Sequence, residues 1–139
     1  MRPFHLAFPV TDLDATRDFY VDILGCSVGR ISAGEWIDFD LFEHQITAHL
    51  RSDMPSSPTF GHVDGDAVPV PHFGVIVTME DFKALANRLV GNPDTNWVVH
   101  PRTRFEGLPG EQSTLFILDP SGNALEFKSF AQDSSIFAV

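Results

Sequence analysis

The sequence predicts an α+β fold in which two β-α-β-β-β modules follow one another along the chain. One strand, one helix and three strands occur twice in the same order. Thr11 and Thr78 each open a Thr-x-x-Asp helix start, and they lie 67 residues apart. His5 and His72, each in the first strand of its half, have the same spacing. Landmarks of two kinds that keep one offset indicate an internal repeat.

The first module covers residues 1–51. Alternation of apolar and polar residues predicts a strand at 4–10. Thr11 is the expected N-cap of a helix that ends at Gly25, because apolar residues recur at helical spacing between them. Three further strands are expected at 26–31, 36–42 and 45–51.

The second module covers residues 70–130. A segment rich in Pro and Gly, 52–69, precedes it and is interpreted as a linker or loop. Thr78 and Gly91 mark the expected start and end of the second helix. The expected strands are 70–77, 97–100 or slightly beyond, 113–118 and 124–128. Residues 131–139 form a tail, and the chain of 139 residues is expected to be one domain.

Charge and cysteine content narrow the class of protein. The net charge of −10 and the isoelectric point near 4.7 argue against nucleic acid or an anionic membrane as a partner, because an acidic surface is repelled by both. The single cysteine, Cys26, excludes an intrachain disulfide and is expected to be a small buried residue. Without a signal peptide or a membrane-spanning run, the chain is expected to be a soluble cytoplasmic protein.

Potential metal ligands lie on four of the predicted strands: His5, His49, His72 and Glu126. Aligning the last strands of the two modules at an offset of 77 places His49 opposite Glu126. On each strand the ligand shares its side with small or polar residues, whereas the other side is apolar and must be covered by a helix. The ligand side is then left to line a concavity. Imidazoles and a carboxylate with open positions suit a divalent first-row metal such as Fe(II), Mn(II) or Zn(II).

The closing motif Asp-Pro-Ser-Gly-Asn-Ala-Leu-Glu-Phe at 119–127, together with the double module and the early His in each half, resembles the vicinal oxygen chelate superfamily. This group includes glyoxalase I, bleomycin and fosfomycin resistance proteins, methylmalonyl-CoA epimerase and the type I extradiol dioxygenases. The resemblance implies that the modules form a cupped, incomplete barrel with the helices on its outer face. It also implies a metal on His5, His72 and Glu126, and a homodimer.

The resemblance gives His49 two alternative roles. It occupies the position at which glyoxalase I and the epimerase carry a metal-ligating Glu or Gln, and near which extradiol dioxygenases hold an acid–base His. His49 is therefore expected to be either a fourth metal ligand or the catalytic acid–base, a task for which imidazole needs little tuning of its pKa.

Three functions follow from these alternatives. The first is an extradiol-like dioxygenase using Fe(II), although Phe116 stands where such enzymes carry a Tyr. The second is a glyoxalase- or epimerase-like lyase or isomerase using Zn, Ni or Co. The third is a metal-free protein that sequesters an aromatic drug or metabolite.

A polar segment, 102–110, lies between two strands of the second module and is expected to be a loop. Its Arg102, Arg104 and Phe105 are interpreted either as a lid or anion-recognising rim of the site, or as part of a solvated loop.

Overall fold

The structure, a computed structural model, describes residues 1–54 and 59–139. The chain divides into two compact units. Unit 1 comprises Met1–Ser57 and the short segment Asp119–Asn123. Unit 2 comprises Pro58–Leu118 and Ala124–Val139. No helix in the described part of the chain is long and apolar enough to cross a membrane.

Unit 1 contains the first predicted module. Its four-stranded sheet has the order β1-β4-β3-β2, with β1 parallel to β4 and the other pairs antiparallel. The strands are β1 (His5–Val10), β2 (Ser27–Ser32), β3 (Trp36–Leu41) and β4 (His44–Leu50). Each agrees with its predicted strand to within one residue at either end, because alternation of apolar and polar side chains is a local property of the chain.

The first helix begins one residue later than predicted. Asp12, in an extended conformation, is the N-cap of α1 (Leu13–Arg17), and its carboxylate accepts a hydrogen bond from the amide of Ala15 at 2.9 Å. Thr11 was the wrong choice of cap, and its amide instead donates to the hydroxyl of Ser121. A π-helical segment, Asp18–Ile23, continues α1 and buries Phe19 and Tyr20.

Unit 2 repeats this plan. α2 (Met79–Val90) is capped by the Thr78 hydroxyl, as predicted, and is followed by an antiparallel sheet in the order β7-β8-β9. Its strands are β7 (Asn96–Arg104), β8 (Gln112–Leu118) and β9 (Ala124–Phe130). Phe73 and Ile76, which precede α2 in the chain, pair with β9 in parallel, just as β1 pairs with β4 in unit 1. The α+β class and the repeated β-α-β-β-β plan are confirmed.

Two predictions about the start of unit 2 were wrong. The segment 52–69, interpreted as a linker or loop, instead holds β5 (Thr59–Val63) and most of β6 (Asp66–Val70), which form a hairpin; residues 55–58 lie outside the described part. Asp64 and Gly65 connect these strands with φ of 43° and 84°, which is the Asp-Gly hairpin turn that the sequence already contained. The predicted strand 70–77 is reduced to two isolated bridges, Phe73 to Leu125 and Ile76 to Lys128.

The prediction of a loop at 102–110 was wrong for its first three residues, which belong to a strand. Arg102 to Arg104 continue β7 and pair with residues 112–114 of β8. Arg104 is buried, with 2% of its surface exposed. A charged residue at the end of a strand is normally solvated, so its burial depends on contacts that local patterns do not reveal.

In unit 2, helix and site occupy opposite faces of the sheet. α2 buries Phe82, Leu85 and Leu89 and contacts β8 and β9. Leu125 and Phe127 are fully buried, whereas Glu126 between them points to the other face and is partly exposed. The alternation predicted for this strand therefore separates core from site.

Candidate functional site

His72 and Glu126 form the centre of the candidate site in unit 2. The Nε2 atom of His72 lies 3.1 Å from Oε2 of Glu126. The Nδ1 atom of the same ring lies 2.6 Å from the carbonyl oxygen of Pro69. The other carboxylate oxygen of Glu126 accepts a hydrogen bond from the hydroxyl of Thr114 at 2.8 Å. Each of the two side chains is thus oriented by a second partner.

These contacts determine which nitrogen of His72 carries a proton. A carbonyl oxygen can only accept, so Nδ1 must donate to Pro69. Nε2 then faces the carboxylate of Glu126 either as a second N–H or as a lone pair. Two lone pairs 3.1 Å apart repel each other unless a proton or a cation lies between them. The pair is therefore an imidazolium–carboxylate ion pair or two adjacent ligands of a metal.

The electrostatics agree with the first of these states when no metal is bound. The hydrogen bond to Glu126 raises the pKa of His72, and it outweighs burial, which acts in the opposite direction. Burial pushes the pKa of Glu126 upward, but the hydrogen bonds from His72 and Thr114 leave that pKa below its ordinary value. Both shifts favour the charged forms.

The strand registers correct the alignment of the two modules. In unit 1, Thr47 of β4 lies opposite Ala7 of β1. In unit 2, Phe73 lies opposite Leu125, so Gly74 lies beside Glu126. Ala7 and Gly74 are 67 residues apart, like the other repeated landmarks, and Thr47 is therefore the equivalent of Glu126. The alignment that placed His49 at this position was wrong by two residues.

Thr47 supports a buried carboxylate. Its hydroxyl donates to Oδ1 of Asp38 at 2.6 Å, and both residues are buried. Arg30 Nε lies 3.4 Å from the other carboxylate oxygen. The alternation in β3 signalled a polar side for Asp38, but nothing local indicated that this side would be buried. Unit 1 thus carries a threonine–aspartate pair where unit 2 carries Glu126.

His5 and His49 do not converge within unit 1. His5 is exposed and lies opposite Gln45, whereas His49 lies opposite Pro9. The two histidines are therefore four residues apart in register, about 13 Å along the strands. Side chains stand roughly perpendicular to a sheet, so these imidazoles do not meet at one ion. The prediction that His5 and His49 share a metal is contradicted by this register.

His49 instead lines a groove in unit 1. The groove has a volume of about 530 Å³ and combines an imidazole with cationic, anionic and apolar side chains. Its lining residues are Ala7, Phe8, Pro9, His49, Arg51, Asp53 and Met54. An imidazole in such a groove can exchange protons with a bound molecule.

The donor set of unit 2 fits part of a metal site. In the ranges 1–54 and 59–139, no three His, Cys, Asp or Glu side chains come close enough together to hold a metal ion. His72 and Glu126 nevertheless present an imidazole nitrogen and a carboxylate oxygen side by side, with the imidazole oriented through Pro69. One nitrogen and one oxygen ligand of this kind suit a divalent first-row metal.

The family model described as the glyoxalase/bleomycin resistance protein/dioxygenase superfamily matches residues 2–127. The chain belongs to this superfamily, as the motif at 119–127 and the repeated module predicted.

Three solved structures illustrate what the fold of the chain is similar to. A glyoxalase/bleomycin resistance protein/dioxygenase from Alicyclobacillus acidocaldarius is 32% identical, with 97% of this chain and 96% of that chain covered and a TM-score of 0.81. The fosfomycin resistance protein FosX from Listeria monocytogenes is 15% identical, with 94% and 93% covered and a TM-score of 0.66. A lactoylglutathione lyase from Agrobacterium tumefaciens is 18% identical, with 91% of each chain covered and a TM-score of 0.58. A search of curated proteins finds no match.

Proposed function

We propose that this protein is a divalent-metal-dependent enzyme, an extradiol-like dioxygenase that acts on a small aromatic substrate with two neighbouring oxygens. The observation that carries the proposal is the His72–Glu126 pair, in which Nε2 and Oε2 lie 3.1 Å apart while Pro69 holds the imidazole by its other nitrogen. A ring oriented in this way is typical of a metal-ligating histidine.

His72 and Glu126 would hold the metal, and Thr114 would keep the carboxylate in position. His5 is proposed as a further ligand on its repeat offset from His72 and on the family resemblance. The bound metal would chelate two adjacent substrate oxygens, and its positive charge would stabilise the negative charge that develops on them. Fe(II) is favoured, and Zn, Mn, Ni or Co are the alternatives for these donors.

Thr47 favours the dioxygenase over the lyase. A lyase of the glyoxalase type would need a carboxylate or amide ligand at the position that Thr47 occupies, but the threonine hydroxyl is bonded to Asp38. Unit 1 therefore offers no second carboxylate equivalent to Glu126, and a bound metal would keep positions for substrate and dioxygen. His49, with its place in the groove of unit 1, is proposed as the acid–base rather than as a fourth ligand. A homodimer remains part of the proposal from the resemblance.

Metal analysis of anaerobically purified protein tests the proposal. We expect about one metal ion per chain, lost in His72→Ala and in Glu126→Gln because each variant removes one of two adjacent ligands. His49→Ala should retain the metal and lose turnover. His100→Ala, at an exposed position of β7, is the matched control and should retain both.

Assays of the Fe(II)-loaded protein separate the three functions. Oxygen uptake with catechol is the expected result. Turnover of a glutathione hemithioacetal without oxygen uptake would replace the dioxygenase with a lyase. Wild-type protein that binds aromatic compounds and takes up no metal would identify a sequestering protein and refute the enzyme.

A further inference from the structure

Arg104 is a buried cation, and two of its three guanidinium nitrogens make no hydrogen bond to the described residues. Its side chain is 3% exposed, and its Nη2 atom lies 3.1 Å from Oδ2 of Asp66. Among the described residues, neither Nε nor Nη2 of Arg104 has a hydrogen-bond partner of acceptable geometry, and Oδ2 of Asp66 has none either. The two charges are close but poorly aligned. The N–H groups of a buried guanidinium are normally hydrogen-bonded, so the two unpartnered nitrogens of Arg104 require an explanation.

The two unpartnered donors lie on one edge of the guanidinium. Nε–H and one N–H of Nη2 point in parallel from the same side of the planar group. This edge matches the two oxygens of a carboxylate, which accept both bonds at once. A single neutral oxygen can accept both bonds only in a bent geometry and brings no negative charge, so a carboxylate is the better match.

Arg104 is linked to the His72–Glu126 pair through one aromatic ring. Its guanidinium carbon lies 5.8 Å from the ring centre of Phe116. The His72 ring meets the same phenyl ring edge-on at 4.9 Å. Phe116 lies opposite Glu126 in the sheet and Arg104 opposite Gln112, so all of them belong to one face.

We propose that Arg104 binds a carboxylate group of the substrate, which makes the substrate an aromatic acid with two neighbouring oxygens. The inference rests on the proposed function for the chelated oxygens, and on the geometry of Arg104 for the carboxylate. Asp66 lies beside Nη2 without a well-aligned hydrogen bond when no substrate is bound, and the substrate carboxylate competes with it for the charge of Arg104.

The hairpin that carries Asp66 is suited to this exchange. β5 and β6 form a two-stranded sheet of their own within unit 2. Arg102 lies 3.1 Å from Asp66 through Nη1 and 3.1 Å from Asp64 through Nη2. Asp66 therefore keeps one cationic partner when a ligand takes Arg104, which limits the cost of the exchange.

Calorimetric titration of the metal-free protein with two matched compounds tests the proposal. The compounds are 3,4-dihydroxybenzoate and 3,4-dihydroxybenzamide, which have nearly the same shape and differ in charge. Wild-type protein should bind the benzoate at least about tenfold more tightly, as expected for charge-assisted hydrogen bonds. Arg104→Lys keeps the charge but loses the two-donor edge and should abolish the preference. Arg88→Lys, in the last turn of α2, is the control and should leave it unchanged.

A second variant distinguishes recognition from a structural ion pair. Asp66→Asn weakens the internal competitor and should tighten benzoate binding, opposite in direction to Arg104→Lys. A structural role alone would loosen binding or leave it unchanged in both variants, and near-ultraviolet circular dichroism checks that both remain folded. Equal affinity of wild-type protein for acid and amide, or no binding of either, overturns the proposal. The titration uses metal-free protein, so it tests carboxylate binding by Arg104 even if the protein proves to have no oxygenase activity.

Discussion

The Asp119 carboxylate organises the motif on which the family resemblance depends. It is buried and accepts hydrogen bonds from the amides of Ser121 and Asn123, from the Asn123 side chain and from the Tyr20 hydroxyl. The Asn123 side chain also donates to the carbonyl of Pro9. All of these residues belong to unit 1. Most of the closing motif thus stabilises a turn, and Glu126 is the residue of the motif that forms the candidate site with His72.

Tyr20 should not ionise while the protein is folded. Burial raises its pKa well above the usual value, and the neighbouring charge of Asp119 adds to the shift. Since the folded pKa exceeds the unfolded value of about 10, its contribution to stability is complete below that pH and is lost as the pH rises further. Tyr20 is the only tyrosine, so tyrosinate absorbance reports on it alone.

The alkaline titration has a clear control. The chain in concentrated urea should form tyrosinate near pH 10, whereas the native chain should form it only together with loss of its circular dichroism signal. A native chain that ionises near pH 10 with its fold intact would contradict the buried hydrogen bond to Asp119.

Gly74 should tolerate no side chain. A Cβ atom at this position would lie 1.5 Å from the carbonyl oxygen of Glu126. Gly74→Ala should therefore lower the free energy of unfolding by about 1–3 kcal/mol and displace Glu126 from His72. Urea denaturation measures the first effect, and metal binding measures the second.

Gly61 provides the matched glycine. A Cβ atom there would meet Val70 at 3.7 Å, an ordinary contact. Gly61→Ala should change stability by about 0.5 kcal/mol or less. If Gly74→Ala and Gly61→Ala had similar midpoints of urea denaturation, the backbone at Gly74 would have to move away from Glu126 at little cost.

At the scale of elements, the two helix starts show what local chemistry determines. Thr78 accepts a hydrogen bond from the amide of Asp81 at 3.1 Å, as its Thr-x-x-Asp pattern predicts. In the first helix Asp12 takes this role. An aspartate is a better N-cap than a threonine, and its negative charge is stabilised by the positive end of the helix dipole. Local rules thus located both helices and left an error of one residue.

Thr78→Ala should destabilise unit 2 through α2. The variant leaves an amide of the first turn without its acceptor, at a cost of about 1 kcal/mol. Thermal or urea unfolding measures it. Thr103→Ala, at an exposed position of β7, removes the same atoms without touching a helix end and should have a smaller effect. Equal losses would assign the effect to threonine removal rather than to the cap.

At the scale of the whole molecule, the two units share the same order of strands and helices but differ in the polar side chains at equivalent positions. The equivalent of Glu126 in unit 1 is Thr47, and the residue opposite each of them is Phe116 in unit 2 and Asp38 in unit 1. Unit 2 therefore presents a carboxylate beside an imidazole, while unit 1 buries its carboxylate against a hydroxyl. The repeat preserves the positions but not the ligands.

The amino-acid sequence by itself determined the fold class, both helices, every strand except the β5–β6 hairpin, the repeat, and the face of β9 on which Glu126 lies. These follow from periodicity and capping, which act over a few residues. Only the tertiary structure decided that Thr47 rather than His49 is the equivalent of Glu126, and that Arg104 is buried beside Asp66. The physical reason is that strand register and burial depend on pairing between segments some forty residues apart, about which alternation along a single strand carries no information.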